Sequence, residues 1–235
     1  MDNFNINCNR NLNKLKWIKN LNLCVFDSID LYMLIKDKYK IISQGLSSLK
    51  SLPMQNKLLG PPFSINVLET AYIYMLNSNI IENADEFADY YNNIYLKEDK
   101  FKVEDITEKQ IEYLVYKDLK YKGYYVLSGF KYGSEFLIYK EDPNFYHSEY
   151  MIIIDKSILL NRSYVIDRNK NSAENTKEYD IINNNALSTE EAFFLNIQRI
   201  ANNTKKKLLV ALLTVDNSSN KKLNIKYLNY SWINI

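Results

Sequence analysis

Histidine occurs once in this chain, at His147, eight residues after Tyr139. An imidazole titrates near neutrality and is the natural proton donor to a leaving oxygen. Tyr139 ends the apolar run Phe136-Leu137-Ile138, and His147 precedes another, Tyr150-Met151-Ile152-Ile153-Ile154. Two strands joined by a loop this short, with Pro143 inside it, bring both side chains to one end of a sheet. The plainer reading has His147 hydrogen-bonding backbone at a strand end. It has Tyr139 as one of 20 tyrosines, a residue that strands favour.

The run Lys205-Lys206-Lys207 stands where a helical pattern meets a buried strand. An ammonium held there against phosphate would stabilise charge as it develops. Otherwise the run is a solvated basic helix end, favoured by the helix dipole. Arginine is scarce, confined to Arg10, Arg162, Arg168 and Arg199. On the predicted helix, Arg199 could do what lysine cannot, such as stack on a base. Trp232 is either an aromatic platform or core.

Much other chemistry is excluded. One histidine rules out any two-histidine mechanism and any His-rich metal site, and Cys8 and Cys24 are too few for a zinc cluster or a disulfide framework. No phosphate-binding glycine loop, Walker motif, G-x-S-x-G or C-x-x-C is present, and Glu141-Asp142 reads as loop solvation rather than a metal pair. No cofactor is therefore expected. The net charge of +2 permits RNA binding without arguing for it. Heavy use of Asn, Lys, Ile and Tyr reflects an AT-rich genome more than a function.

These residues need a scaffold, and 235 residues with 46% hydrophobic and 25% charged side chains can build one. Mean hydropathy is −0.35, no apolar run approaches a membrane span, and the polar start lacks signal-peptide character. The expectation is a soluble intracellular protein. Residues 21–95 look mainly helical: Asp27 or Ser28 caps a first helix, Ser64 a second, and an acidic third covers 83–95, with 45–62 irregular or partly extended. A charged linker follows at 96–100. Thr107 and Gln110 then form a capping box for a helix that Gly123 stops. Strands are expected at 124–127, 135–139 and 150–154. An Asn-rich, aperiodic insertion covers 161–187. Ser188 and Glu191 cap a helix with apolar face Phe193, Phe194, Ile197, Ile200 and Ala201, and strands at 208–215 and 223–233 flank a turn at 216–222. The order helix, three strands, helix, two strands predicts a compact α/β domain.

Three stretches are more specific than any of this. Tyr116-Lys117-Asp118-Leu119 running to Gly123-Tyr124 is the first, and Gly129-Phe130-Lys131-Tyr132-Gly133-Ser134-Glu135-Phe136 running to Tyr139 and on to Phe145-Tyr146-His147-Ser148 is the second. The third is Arg199 with Lys206 seven residues on, feeding an apolar strand. Together they resemble the catalytic domain of the tRNA-splicing (tRNA-intron) endonucleases. The resemblance implies a small, mainly helical N-terminal α(+β) domain and linker over 1–104. It implies a restriction-endonuclease-like α/β catalytic domain with a mixed sheet over 105–235. It further implies that Tyr139 is the general base on a ribose 2′-OH, His147 the general acid on the 5′-oxygen, and Lys206 the stabiliser of the phosphorane. A base of that kind calls for a depressed tyrosine pKa, or for a tyrosine that mainly orients the 2′-OH. Arg199 and Trp232 match the family's pair that sandwiches a bulged nucleotide.

The partners so implied are precursor tRNA and the other subunits of a nuclear heterotetramer, a second catalytic subunit and two structural ones. The 129–133 hairpin and Phe145-Tyr146-His147 look most like the eukaryotic subunit that cuts the 5′ splice site. The alternatives are the subunit that cuts the 3′ site and a non-catalytic scaffold subunit. A metal-dependent nuclease is a third possibility, disfavoured because no D…E-x-K pattern lies on the central hairpin.

Overall fold

The computed structural model describes residues 14–45, 60–95, 106–156, 189–215 and 223–230. The chain divides into two compact units, Met1–Tyr95 and Leu96–Ile235. Among the described residues no helix is long and apolar enough to cross a membrane.

In the first unit, strands β1 (Lys16–Ile18), β2 (Leu23–Phe26), β3 (Gln44–Gly45) and β4 (Phe63–Asn66) form an antiparallel sheet in the order β1-β2-β4-β3. Strands of two to four residues are too short to display a period-two pattern, so the helices dominate the sequence signal. These are α1 (Ile29–Tyr39), α2 (Val67–Leu76) and α3 (Ala84–Ile94). Ser28 caps α1 by accepting from the Leu31 N–H at 3.2 Å. The cap of α2 is Asn66 rather than Ser64. Asn66 accepts from the Glu69 N–H at 2.9 Å, and Glu69 accepts from the Asn66 N–H at 2.8 Å. This reciprocal box leaves Ser64 inside β4. Trp17 is buried edge-on against Phe87, ring centres 4.8 Å apart. Burial pushes the Cys24 thiol up to about 12, so it packs as an inert hydrophobe. Cys8 lies outside the described residues.

The second unit carries the sequence's chemistry. Its elements are α4 (Glu108–Tyr121), β5 (Tyr125–Ser128), β6 (Phe136–Tyr139), β7 (Tyr150–Asp155), α5 (Thr189–Asn203), β8 (Lys207–Val215) and β9 (Leu223–Tyr230). The five strands form one sheet in chain order, with β7 and β8 parallel and every other pair antiparallel. This is the expected α/β fold with a mixed sheet. Thr107 and Gln110 close their capping box at the start of α4. Gly123 follows its end at φ +86°, the left-handed position that glycine takes without a steric penalty.

Period-two alternation puts a helix on each face of the sheet. Phe136 and Ile138 point one way, and Phe136 meets Tyr116 of α4 with ring centres 5.9 Å apart. Leu137 points the other way and packs with Met151, Ile153, Leu208 and the α5 residues Ile197 and Ala201. The β7 core Met151-Ile152-Ile153-Ile154 is buried on both faces, which is why it reads as a continuous apolar run. On α5, Phe194, Ile197 and Ala201 form the stripe that meets the sheet. Phe193 and Ile200, expected on that apolar face, are exposed, because at 100° per residue they fall at the stripe's margin. Of the remaining expectations, Ser188, the insertion at 161–187, the turn at 216–222 and the strand residues after Tyr230 lie outside the described residues.

The register fixes where loose ends meet. Ile138 pairs with Tyr150, and Tyr150 pairs with Lys207. The residue that ends β6, the residues before β7 and the residue before β8 therefore share one end of the sheet. Those residues are Tyr139, 147–149 and Lys206.

Candidate active site

Two turns set the approach to this sheet end. In the β5–β6 connection, Gly129 has no room for a side chain: a Cβ there would lie 2.1 Å from Ser134 Oγ and 2.7 Å from Ser134 O. Gly133 sits at φ +73°. The 3-10 turn Phe130–Tyr132 between them lays the Tyr132 ring back on the α5 side of the sheet, against the Leu137–Met151–Leu208 cluster. In the β6–β7 connection, Asp142 Oδ1 accepts from the Asn144 N–H at 2.9 Å, and its carbonyl accepts from the Phe145 and Tyr146 N–H groups, both at 3.0 Å. Asp142 is therefore a turn former, which explains an acidic residue there without a metal. Phe145, Tyr146 and His147 emerge exposed from that turn.

The lysine triplet is sorted by the end of α5. The Lys206 N–H donates to Ala201 O at 2.8 Å, the Lys205 N–H donates to Asn202 O at 3.1 Å, and Lys205 adopts φ +54°. This is a Schellman cap with lysine, not glycine, at the left-handed position. Its reversal sends Lys205 and Lys207 outward and Lys206 inward. Lys206 Nζ donates to the Ser148 carbonyl at 3.3 Å and lies 5.7 Å from the centre of the Tyr132 ring. Partial burial lowers the Lys206 pKa. Lys207 instead approaches Glu149 at 3.6 Å, and Glu149 also holds Lys140 at 2.7 Å. The hydrogen bond from Lys140 is the main reason the Glu149 carboxyl stays below its usual range. Backbone bonds lock the same point: the Glu149 N–H donates to Ile138 O and the Lys207 N–H donates to Glu149 O, each at 2.9 Å.

Tyr139 is half-buried against the α5-side cluster. Burial raises its pKa, the adjacent Tyr132 phenol adds to the rise, and the Ser148 hydroxyl offsets part of it. The sequence called for a depressed phenol or a merely orienting one. Burial outweighs every lowering influence on Tyr139, so at neutral pH it is overwhelmingly protonated.

Of the five residues singled out from sequence, two come together and a third adjoins them in the chain. Tyr139 and Lys206 converge on Ser148, and His147 is bonded to Ser148 in the chain. Arg199 is exposed on α5, and Trp232 lies outside the described residues. The structure adds Tyr132, which packs on the same cluster as Tyr139 and faces Lys206 with its ring, and Ser148 itself. In sequence both stand inside the stretches that carry the resemblance, Tyr132 between Gly129 and Gly133 and Ser148 next to the single histidine, but nothing there assigns either a contact with Tyr139 or Lys206. Among the described residues no three His, Cys, Asp or Glu side chains gather as a metal-holding group. What the arrangement offers is a phenol, an ammonium and an imidazole-bearing loop at one sheet end, a set suited to proton transfer beside a phosphate.

Comparison with known proteins identifies the domain that carries these residues. Residues 110–227 match the family described as tRNA intron endonuclease, catalytic C-terminal domain. The tRNA-splicing endonuclease of Saccharolobus solfataricus is 26% identical over 188 residues, covering 78% of this chain and 80% of that protein. The tRNA-splicing endonuclease of Sulfurisphaera tokodaii is 27% identical over 131 residues, 56% of this chain and 54% of the relative. That of Hyperthermus butylicus is 33% identical over 92 residues, 39% of this chain and 48% of the relative.

Proposed function

This chain belongs to the tRNA intron endonuclease family, and from that premise we propose that it cuts precursor tRNA at the 5′ splice site. In this reading it is one catalytic subunit of a nuclear heterotetramer that also holds a second catalytic subunit and two structural ones. Family membership supports an enzyme that excises introns. The choice of the 5′ site leans on the Gly129-Phe130-Lys131-Tyr132-Gly133 turn and on Phe145-Tyr146-His147.

The reaction uses the RNA's own nucleophile. The 2′-oxygen bonds to the neighbouring phosphorus as the bond from phosphorus to the 5′-oxygen breaks. Tyr139, as phenolate, takes the 2′ proton, and His147 gives a proton to the departing 5′-oxygen. The products are a 2′,3′-cyclic phosphate and a 5′-OH, and the balance needs neither water nor metal. The raised pKa of Tyr139 makes its phenolate scarce but strongly basic. Lys206 faces the developing phosphorane charge, where a partly desolvated ammonium acts more strongly than a solvated one. Arg199, with Trp232, grips a bulged nucleotide by stacking.

The observation that carries this reading is the sorting of the triplet, which turns Lys206 alone toward Ser148 and Tyr132. The test is an end-labelled, intron-containing precursor tRNA incubated with the purified chain, alone and with candidate partner subunits, in excess EDTA with polyamine. The expected result is a cut at the 5′ splice site with cyclic-phosphate and 5′-OH ends. Cutting only at the 3′ site identifies the other catalytic subunit. Ends with 3′-OH and 5′-phosphate would mean a metal nuclease. A scaffold subunit would assemble with its partners and leave cleavage indifferent to His147→Ala.

A further inference from the structure

Ser148 is 6% exposed, and its side-chain oxygen is fully buried with no hydrogen-bond partner of good geometry among the described residues. Buried hydroxyls are nearly always satisfied, so an orphan beside reactive groups asks for a cause. Its surroundings supply one. The main-chain carbonyl of Ser148 accepts from Lys206 Nζ at 3.3 Å. Its side chain lies close enough to the Tyr139 phenol to influence that group's ionisation. The preceding residue is His147.

We infer that Ser148 is a positioning residue of the cleavage site, its hydroxyl donating to the Tyr139 phenol oxygen while its carbonyl holds the Lys206 ammonium. The inference rests on the proposed role of Tyr139 as proton acceptor and goes beyond it by naming what aims that oxygen. A hydroxyl can donate through its single proton, and the donation leaves a phenolate lone pair for the 2′-OH. In the resting chain the contact is loose. It tightens when negative charge appears on Tyr139, because hydrogen bonds to charged acceptors are shorter and stronger than neutral ones. The orphaned oxygen is thus a donor in reserve.

Ser148 is also anchored through its neighbour's main chain. The Glu149 N–H bond to Ile138 and the Lys207 N–H bond to Glu149 fix the next residue from both neighbouring strands, so the Ser148 main chain cannot drift. The carbonyl contact to Lys206 uses no side-chain atom, so substitution of the side chain leaves it in place. Removing the hydroxyl therefore isolates one of the two functions.

The experiment is single-turnover cleavage across pH by the assembled enzyme carrying wild-type chain, Ser148→Ala, Tyr139→Phe or both changes, with melting temperature measured for each. When a base titrates above its partner acid, the rate is flat between two limbs, and raising the base's pKa lowers the plateau and moves the alkaline limb up. Ser148→Ala should lower the plateau by about ten-fold or more, the loss expected for a hydrogen bond to a charged group, and shift the alkaline limb to higher pH. Added to Tyr139→Phe, it should cost nothing further. Wild-type rates and limb in Ser148→Ala would overturn the inference. So would a lower rate with an unmoved limb that multiplies the Tyr139→Phe loss, since that is a packing defect. Normal cleavage by Tyr139→Phe alone would instead overturn the parent reading of Tyr139, and the inference with it.

Discussion

Tyr227 of β9 donates its hydroxyl to Asp118 of α4 at 2.6 Å, tying the helix on one face of the sheet to the edge strand farthest from its own chain neighbour β5. Lys122 pairs with the same carboxylate and lies 4.6 Å from the Tyr227 ring centre. Burial first, and the carboxylate second, push the Tyr227 pKa far above its ordinary value. A phenol whose folded pKa is raised stabilises the fold fully below the unfolded pKa of ~10 and loses that contribution as pH rises toward the folded value. Tyr227→Phe should therefore lower the melting temperature by a few degrees at neutral pH, a loss of about 1.5–3 kcal/mol. The gap between the two proteins should narrow above about pH 10. Thermal melts at pH 7 and in the alkaline range check both parts, and cleavage below the melt should be retained.

His147→Ala should reduce single-turnover cleavage by roughly 10²-fold or more while leaving precursor binding within a few-fold. His147 is exposed and its loop is held by Asp142, so the change should not move the melting temperature. Parallel filter-binding and cleavage assays separate the two effects. Near-normal cleavage by this variant would remove His147 from the chemistry.

The three lysines should behave differently although they are adjacent. Lys206→Ala should slow the chemical step, whereas Lys207→Ala should mainly alter salt-dependent binding, with a deficit largest at low salt, because it faces outward beside Glu149. Lys205 occupies a left-handed backbone position that glycine takes more easily. Lys205→Gly should raise stability by up to ~1 kcal/mol and leave the chemical step unchanged. Single-turnover rates at two salt concentrations, with melts, resolve the set. Equal small losses from all three would mean an undifferentiated basic patch.

Tyr132 presents two functions that two substitutions can split. Tyr132→Phe keeps the ring facing Lys206 and removes the phenol that raises the Tyr139 pKa. Its alkaline limb should move to lower pH, with a plateau equal to or above wild type. Tyr132→Leu loses the ring as well and should cleave more slowly than Tyr132→Phe. Rate profiles against pH for both variants decide it, and an unmoved limb in Tyr132→Phe would mean that the two phenols do not interact.

Sequence patterns served best where a local rule was sufficient. The box of Thr107 and Gln110, the stop at Gly123 and the doubly buried run of β7 each follow from a few neighbouring residues. The short strands of the first unit escaped because they alternate over too few positions. Sequence alone sets the cap of α2 two residues early, because Ser64 and Asn66 both suit an N-cap and only Glu69, reaching back to Asn66, decides between them. At the candidate site the reactive residue types stood out by rarity and spacing. Their environment did not, because burial of Tyr139 depends on how α5 covers the sheet, and Tyr132 reaches the site only through a glycine-dependent turn.

The parallel pairing of β7 with β8 has a kinetic corollary. Ser148 and Lys206 stand 58 residues apart in sequence, and no hairpin can bring them together. Parallel neighbours meet only after a long crossover has closed, and loop-closure entropy must be overcome before the new contacts repay it. The hairpin that carries Tyr139 toward His147 can form early from local contacts, whereas Lys206 arrives with the last long-range register of the sheet. A nascent or partly unfolded chain thus holds the phenol and the imidazole without the ammonium. If Lys206 serves the cleavage as proposed, competence would mark completed folding of this unit.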